Sequence, residues 1–336
     1  MKKVIIDVFG CDMPEKIVRG AAECVNEMDD VTLVLAGERD FIEQNLAGLE
    51  YDKSRLEILP ASQRITNDDT PTTAILSKRD SSLIVGMKAL KSDDDAIGMI
   101  TAGSTGAVLL ASAAFVGRLR GVECPALASF LPTKKNRYAV LVDCGAMVDA
   151  KPEQMDKFAL LGSALVQSCV GVENPTVAVI SVGVEEKKGN AFSKQVYSIL
   201  KETPNINFVG NMEARDALTG EYDVMVCDGF TGNILLKSTE GSALFVVEKM
   251  VAALKKNLPE GVDGSFIRKT VGQVMADIDF TSTGGAMILG VEKPIIKAHG
   301  NSNEKTVANC VRQLLGICAG GFIEKTNALI QNQKGR

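Results

Sequence analysis

Val177-Ala-Val-Ile-Ser-Val-Gly-Val-Glu-Glu-Lys-Lys-Gly-Asn190 and Val224-Met-Val-Cys-Asp-Gly-Phe-Thr-Gly-Asn233 decide the reading of this 336-residue chain. Each starts as a buried strand, runs into a polar turn containing glycine, and passes directly into a segment of helical period. In an open α/β sheet that junction lies at the carboxyl ends of the strands, where glycines admit a ligand to the backbone and the free N–H groups of the next helix attract anions. One turn brings Lys187 and Lys188 and the other Asn233, so the pair reads as a phosphate site.

Apolar residues make up 46% of the chain and charged residues 24%, which provides for a large globular core. A net charge of −5 argues against nucleic acid as a partner, because phosphate backbones are bound through clustered basic surface. The N-terminal Lys2-Lys-Val-Ile-Ile-Asp7 enters a strand at once without the regions of a signal peptide, and no apolar run approaches a bilayer span, so a cytoplasmic protein is expected. The eight cysteines are scattered without a C-x-x-C pair and read as reduced thiols in or near the core. With His299 the only histidine, a His-rich metal site is excluded and no metal is expected.

Outward from the two junctions, apolar or β-branched runs recur at Val4–Phe9, Val31–Ala36, Arg55–Leu59, Ala96–Ile100, Tyr138–Val142 and Ile206–Val209. Helical period fills most gaps between them. That alternation predicts an α/β/α sandwich around a mainly parallel sheet, with 1–336 forming one domain. Polar, glycine-bearing turns follow the strands at Gly10-Cys-Asp12, Gly103-Ser-Thr-Gly106, Asp143-Cys-Gly145, Lys187–Asn190, Asp228–Asn233, Thr283-Gly-Gly285 and Lys297-Ala-His-Gly300, and are expected to gather at one edge of the sheet. Residues 240–280 differ. Leu244, Val247, Val251, Leu254 and Leu258, then Ile267, Val271, Val274 and Ile278, step by three and four and predict a protruding helical hairpin with an apolar seam, either packed on its own domain or pairing in a dimer. Its Lys249, Lys255, Lys256, Arg268 and Lys269 form a basic set for an acidic partner or anionic lipid, or a solvated face.

Among candidate site residues, Lys188 stands at a helix mouth before Gly189 and the N-cap candidate Asn190, where a cation neutralises an oxyanion or phosphate. The plain alternative is a surface lysine. Thr231, Gly232 and Asn233 offer uncharged donors at the next helix start. Asp228 before them binds ligand or, more simply, its own turn. Gly103, Thr105 and Gly106 make a third candidate anion nest. Lys297 and His299 share a strand end, with a structural role as the alternative. Cys144 and Cys227 read as inert buried thiols.

These motifs together resemble the bacterial phosphate acyltransferases of phospholipid synthesis, the PlsX family. The resemblance runs nearly end to end, through Thr101-Ala-Gly-Ser-Thr-Gly-Ala107, Gly121-Val-Glu-Cys-Pro-Ala126, Val148-Asp-Ala-Lys-Pro-Glu153, Glu186-Lys-Lys-Gly-Asn190, Ile206-Asn-Phe-Val-Gly-Asn211, Asp228-Gly-Phe-Thr-Gly-Asn233 and Ile296-Lys-Ala-His-Gly300. It implies transfer of a fatty acyl group from acyl-acyl carrier protein to inorganic phosphate, giving acyl phosphate. It also implies a Rossmann-like fold of the isopropylmalate dehydrogenase and phosphotransacetylase group, a homodimer, peripheral contact with the inner face of the membrane, and no metal or nucleotide cofactor. The family's catalytic lysine and asparagine fall on Lys188 and Asn233. The chain departs from the family at Cys11, Ser104, Cys144 and Met147, which bears on the contribution of those loops. Rival expectations are an acyltransferase for a short or different thioester, a metal-dependent NAD dehydrogenase of the same fold group, and a non-catalytic scaffold that binds carrier protein or membrane.

Overall fold

The computed structural model describes residues 1–257, 264–277 and 284–331. Strands occupy Lys2–Asp7 (β1), Val31–Gly37 (β2), Leu56–Pro60 (β3), Ala96–Thr101 (β4), Ala126–Pro132 (β5), Tyr138–Val142 (β6), Thr176–Ser181 (β7), Asn207–Glu213 (β8), Val224–Val226 (β9), Ala286–Leu289 (β10) and Ile295–Lys297 (β11). The helices are Pro14–Glu27 (α1), Arg39–Leu46 (α2), Pro71–Ser77 (α3), Ser82–Ser92 (α4), Thr105–Ala111 (α5), Met155–Cys169 (α6), Ala191–Glu202 (α7), Gly229–Lys256 (α8), Ser265–Asp277 (α9), Glu304–Ala319 (α10) and Phe322–Gln331 (α11).

All eleven strands join one sheet in the order β3-β2-β1-β4-β11-β10-β5-β6-β9-β7-β8. Strand residues alternate between two apolar layers. Val4 and Ile6 of β1 enter one, with α1, α6 and α10, while Ile5 enters the other, with α4 and α5. A sheet covered on both faces needs continuous apolar strands rather than alternating ones, and the wholly buried Val31-Thr-Leu-Val-Leu-Ala-Gly37 is such a strand. The expected sandwich with a mainly parallel sheet is therefore the architecture found.

The expectation that the polar turns share one edge is modified in the middle of the sheet, where the strand direction reverses. β11 pairs antiparallel with β10, β10 with β5, and β5 with β6, and every other pairing between these strands is parallel. Three reversals leave β6, β9, β7 and β8 running opposite to β3, β2, β1, β4 and β11. The turns after β1, β4 and β11 thus leave in one direction and those after β6, β7 and β9 in the other, yet both sets start near one row across the sheet, because Ile100 pairs with Ile296, Ile296 with Met287, Met287 with Ala128 and Ala128 with Val142. β5 and β10 carry the reversals. Neither has the β-branched pattern that marks a strand in sequence, since Ala126-Leu-Ala-Ser-Phe-Leu-Pro132 is alanine-rich and β10 spans four residues.

The first arm of the expected hairpin does not begin near residue 240. It is the far end of α8, a continuous helix of 28 residues that opens at Gly229, so Asn233 and the first arm of the hairpin share one helix. Of the seam, Val247 and Ile267 are buried, Val251, Val271 and Val274 partly so, and Leu244 and Leu254 exposed. Leu258, Ile278, most of the connecting turn and Thr283 lie outside the described residues.

Helix α1 packs against the start of α10 through Gly20, where a Cβ would stand 2.6 Å from the carbonyl oxygen of Glu304 and 2.7 Å from its Cα. Backbone cannot yield as a flexible side-chain tip can. Gly20→Ala is therefore expected to lower stability by about 1–3 kcal/mol, read as a lower denaturation midpoint at unchanged slope. A wild-type midpoint would contradict this packing.

Candidate active site

Adjacent strands β6 and β9 end together, Val142 opposite Val226, and β7 runs two residues past Val179, which lies opposite Val226. Their exits are organised by Asp143, whose side chain is buried and accepts four backbone N–H groups. Oδ1 takes those of Leu127, Gly145 and Ala146 at 2.9–3.1 Å, and Oδ2 takes that of Met147 at 2.7 Å. Burial pushes its carboxyl up from the ordinary value although all four donors oppose that. Sequence reading saw this aspartate only as a turn residue.

The first turn of α8 lies directly on this loop. A Cβ at Gly232 would stand 1.9 Å from the Asp143 carbonyl oxygen, and one at Gly229 would stand 2.8 Å from both Asp143 Oδ2 and the Met147 carbonyl oxygen. Glycine at 232 is a condition of the helix sitting there. Asp228 is the N-cap, its Oδ1 accepting from Thr231 N at 2.8 Å and its Oδ2 from Thr231 Oγ1 at 2.9 Å. Asp228 and Thr231 thus satisfy each other, and Gly232 N donates to the Asp228 carbonyl. Asn233 is left as the exposed polar side chain of this turn, beside Gly145, where a Cβ would lie 3.7 Å from Asn233 Oδ1.

One strand over, Asn190 caps α7 by accepting from Ser193 N at 2.8 Å. Gly189 before it has φ +108, and a Cβ there would meet Ser193 Oγ at 2.0 Å. Both the conformation and the space exclude a side chain. Lys188 N donates to the Glu185 carbonyl at 2.9 Å, closing the turn, and the lysine side chain is exposed. Among the described residues, neither Lys188 Nζ nor the Asn233 amide has a hydrogen-bond or ion-pair partner. An ammonium and an amide thus extend, free, from neighbouring strand ends.

Gly103, Thr105, Gly106, Lys297 and His299 lie at or just after the ends of β4 and β11, which run opposite to β6, β9 and β7. Asp7, fully buried, accepts from Ser82 Oγ at 2.5 Å and from Thr101 Oγ1 at 2.7 Å, and Thr101 Oγ1 accepts from Gly103 N at 3.1 Å. One donor of the expected nest is therefore already used, and Ser104 makes no side-chain cap for α5. Lys297 and His299 are half-buried at the end of β11. Burial, then the charge of Lys237, holds both below their ordinary pKa values, opposed by Asp12 at the lysine and by Glu240 at the histidine. Lys237 follows Asn233 by one turn of α8 and acts on Cys144 as well as on Lys297 and His299, so both sets of turns lie within electrostatic reach of one side chain.

Cys144 and Cys227 are buried, and desolvation raises both thiols well above their ordinary value, as it raises Cys11 to about 11. They are protonated at neutral pH and are poor nucleophiles.

The sequence profile of the family described as fatty acid synthesis protein matches residues 2–325. A protein of Clostridium tetani named phosphate acyltransferase is 36% identical over 331 residues, 98% of each chain, and one of Bacillus cereus with the same name is 37% identical over 98% of this chain and 99% of its own. The chain belongs to the fatty acid synthesis protein family. Among solved structures, a phosphotransacetylase from Streptococcus pyogenes aligns with TM-score 0.64 at 17% identity, covering 96% of this chain and 94% of that one. A 4-hydroxythreonine-4-phosphate dehydrogenase from Klebsiella pneumoniae aligns with TM-score 0.54 at 12% identity, over 94% and 99%. Both share the fold of this family member, as the resemblance implied.

In this member of the family, Lys249, Lys255, Lys256, Arg268 and Lys269 are all exposed on α8 and α9, beside exposed Leu244, Phe245, Val246, Met250, Leu254 and Phe266. Its half-buried histidine gives a pH test. A depressed folded pKa means that the unfolded chain protonates His299 first, so stability is full above about pH 6.5 and is lost as pH falls towards the folded pKa. His299→Gln is expected to flatten the decline of the denaturation midpoint between about pH 6.5 and 5. Parallel pH profiles for the two proteins would contradict this.

Proposed function

We propose that this chain catalyses attack of inorganic phosphate on the thioester carbonyl of a fatty acyl group carried by acyl carrier protein. A phosphate oxygen forms a bond to the carbonyl carbon, the carbon–sulfur bond breaks, and the carrier thiolate leaves and takes up a proton. Acyl phosphate, a precursor for phospholipid synthesis, is the other product. The observation that carries this reading is the free Lys188 and Asn233 pair at adjacent strand ends, in a chain that shares over a third of its residues with proteins named phosphate acyltransferase across nearly its whole length.

Phosphate at neutral pH is already an anionic nucleophile and needs no strong base. Lys188, at the positive end of α7, would hold phosphate and offset charge developing on the carbonyl oxygen. Asn233, at the start of α8, would donate to the same tetrahedral oxyanion without adding charge. Gly189, Asn190 and Gly232 act by holding those two turns. The pair would operate mostly by positioning and charge stabilisation.

The acidic carrier would dock against the basic set on α8 and α9. The exposed apolar side chains there support a homodimer through the hairpin and peripheral contact with the inner face of the membrane in a cytoplasmic protein. Charge docking weakens as salt screens it, so affinity for acyl carrier protein is expected to fall with ionic strength. A salt-independent affinity would remove that surface from the account.

The reaction is tested by thiol release from acyl-acyl carrier protein with and without phosphate. Phosphate-dependent release is expected in the wild type, with losses of about 10²-fold or more in Lys188→Ala and in Asn233→Ala at unchanged folding. Near-normal turnover in both variants would sink the site assignment. Absence of release with every acyl length would sink the donor.

A further inference from the structure

Ile206-Asn-Phe-Val-Gly-Asn211 has no part in the chemistry above, yet its last residue reaches the turn that carries Lys188. Asn211 lies on β8, the edge strand, opposite Val179 of β7. Its side chain is 4% exposed, and Nδ2 donates to the Glu185 carbonyl at 2.9 Å, the same oxygen that accepts Lys188 N at 2.9 Å. We propose that Asn211 is a positioning residue for the reaction, fixing the 185–189 turn, and hence the Lys188 ammonium, through that shared carbonyl.

The local backbone is shaped to bring Asn211 there. The register between β7 and β8 slips between Val177 and Ala178, so that Val177 faces Phe208 while Ala178 faces Gly210. Gly210 has φ +106, a conformation glycine adopts readily. A slip of one residue changes which side chains point to which face, and such irregularities re-aim a side chain beside a site. Phe208, on the near side of the slip, packs edge-on against Tyr197 of α7 at 5.1 Å between ring centres, which fixes the strand against the helix that Asn190 caps.

The other half of the amide argues that its role is not stability. Asn211 Oδ1 is buried and finds no partner among the described residues. An unpaired buried acceptor is unfavourable, and an apolar side chain of similar size would remove that cost. The asparagine supplies one thing leucine cannot, the donor to Glu185. Through it the turn is held from beneath, while Gly189 and the Asn190 cap hold it at the helix side.

This proposal rests on Lys188 as the group that meets phosphate. The experiment is a double-mutant cycle of Asn211→Leu and Lys188→Ala, with turnover measured at saturating acyl-acyl carrier protein and phosphate and thermal midpoints in parallel. Asn211→Leu is expected to lower turnover on the order of 10- to 100-fold with a midpoint equal to or above wild type, and to have almost no further effect in the Lys188→Ala background. Asn211→Ala, which makes a cavity instead, is expected to lower turnover similarly while also lowering the midpoint. Full turnover in Asn211→Leu beside an impaired Lys188→Ala overturns the positioning role and leaves the site assignment standing. Additive losses overturn it too, since they mean Asn211 acts by another route. Unimpaired Lys188→Ala overturns both.

Discussion

The carboxylate of Asp143 is the interaction on which the candidate site depends. Four backbone N–H groups from both sides of the β6 exit converge on it, and the carbonyl of the same residue touches the first turn of α8 where only glycine fits. Each donor left unpaired in that buried place would cost about 1–3 kcal/mol, so the loop has little freedom to depart from its path. Asn233 inherits its position from that loop. A site that works by charge placement rather than by a reactive nucleophile needs this rigidity more than it needs any single pKa.

The second constraint is the reversal in mid-sheet. Three antiparallel pairings make the strands that lead to Lys188 and Asn233 run opposite to those that carry the Asp7, Gly103, Lys297 and His299 cluster, while the registers start both sets of turns near one row across the sheet. Helix α8 joins them. Asn233 in its first turns stands at the Asp143 loop, Lys237 one turn on depresses the pKa of Lys297 and His299, and the far end of the same helix carries the basic and apolar hairpin surface. Carrier docking at the far end and chemistry at the near end would thus be connected through one continuous element.

Much of this was legible in the sequence because it depends on local chemistry. An asparagine or aspartate just before a helical run is a cap in almost any context, and Asn190 and Asp228 are caps here. The buried strands followed by Gly-containing turns also gave the sandwich. What was not legible depends on long-range pairing. β5 has no β-branched residue and β10 only one, so the reversal they create was invisible and all the turns were placed on one edge. Thr231 looked like a free donor because nothing in its spacing shows that Asp228 takes both of its hydrogens. Asn211 was visible as part of a motif, but its reach across strands to Glu185 follows from a register slip that only the fold reveals.

The account's central claim is that acyl transfer takes place where β6, β7 and β9 end. Its most direct test is a crystal structure of the protein with a non-hydrolysable acyl phosphonate, the stable counterpart of the product. The account predicts phosphonate oxygens within hydrogen-bond distance of Lys188 Nζ and Asn233 Nδ2. Phosphonate bound instead between the Gly103–Gly106 turn and His299, beyond hydrogen-bond reach of Lys188 Nζ and Asn233 Nδ2, would contradict it.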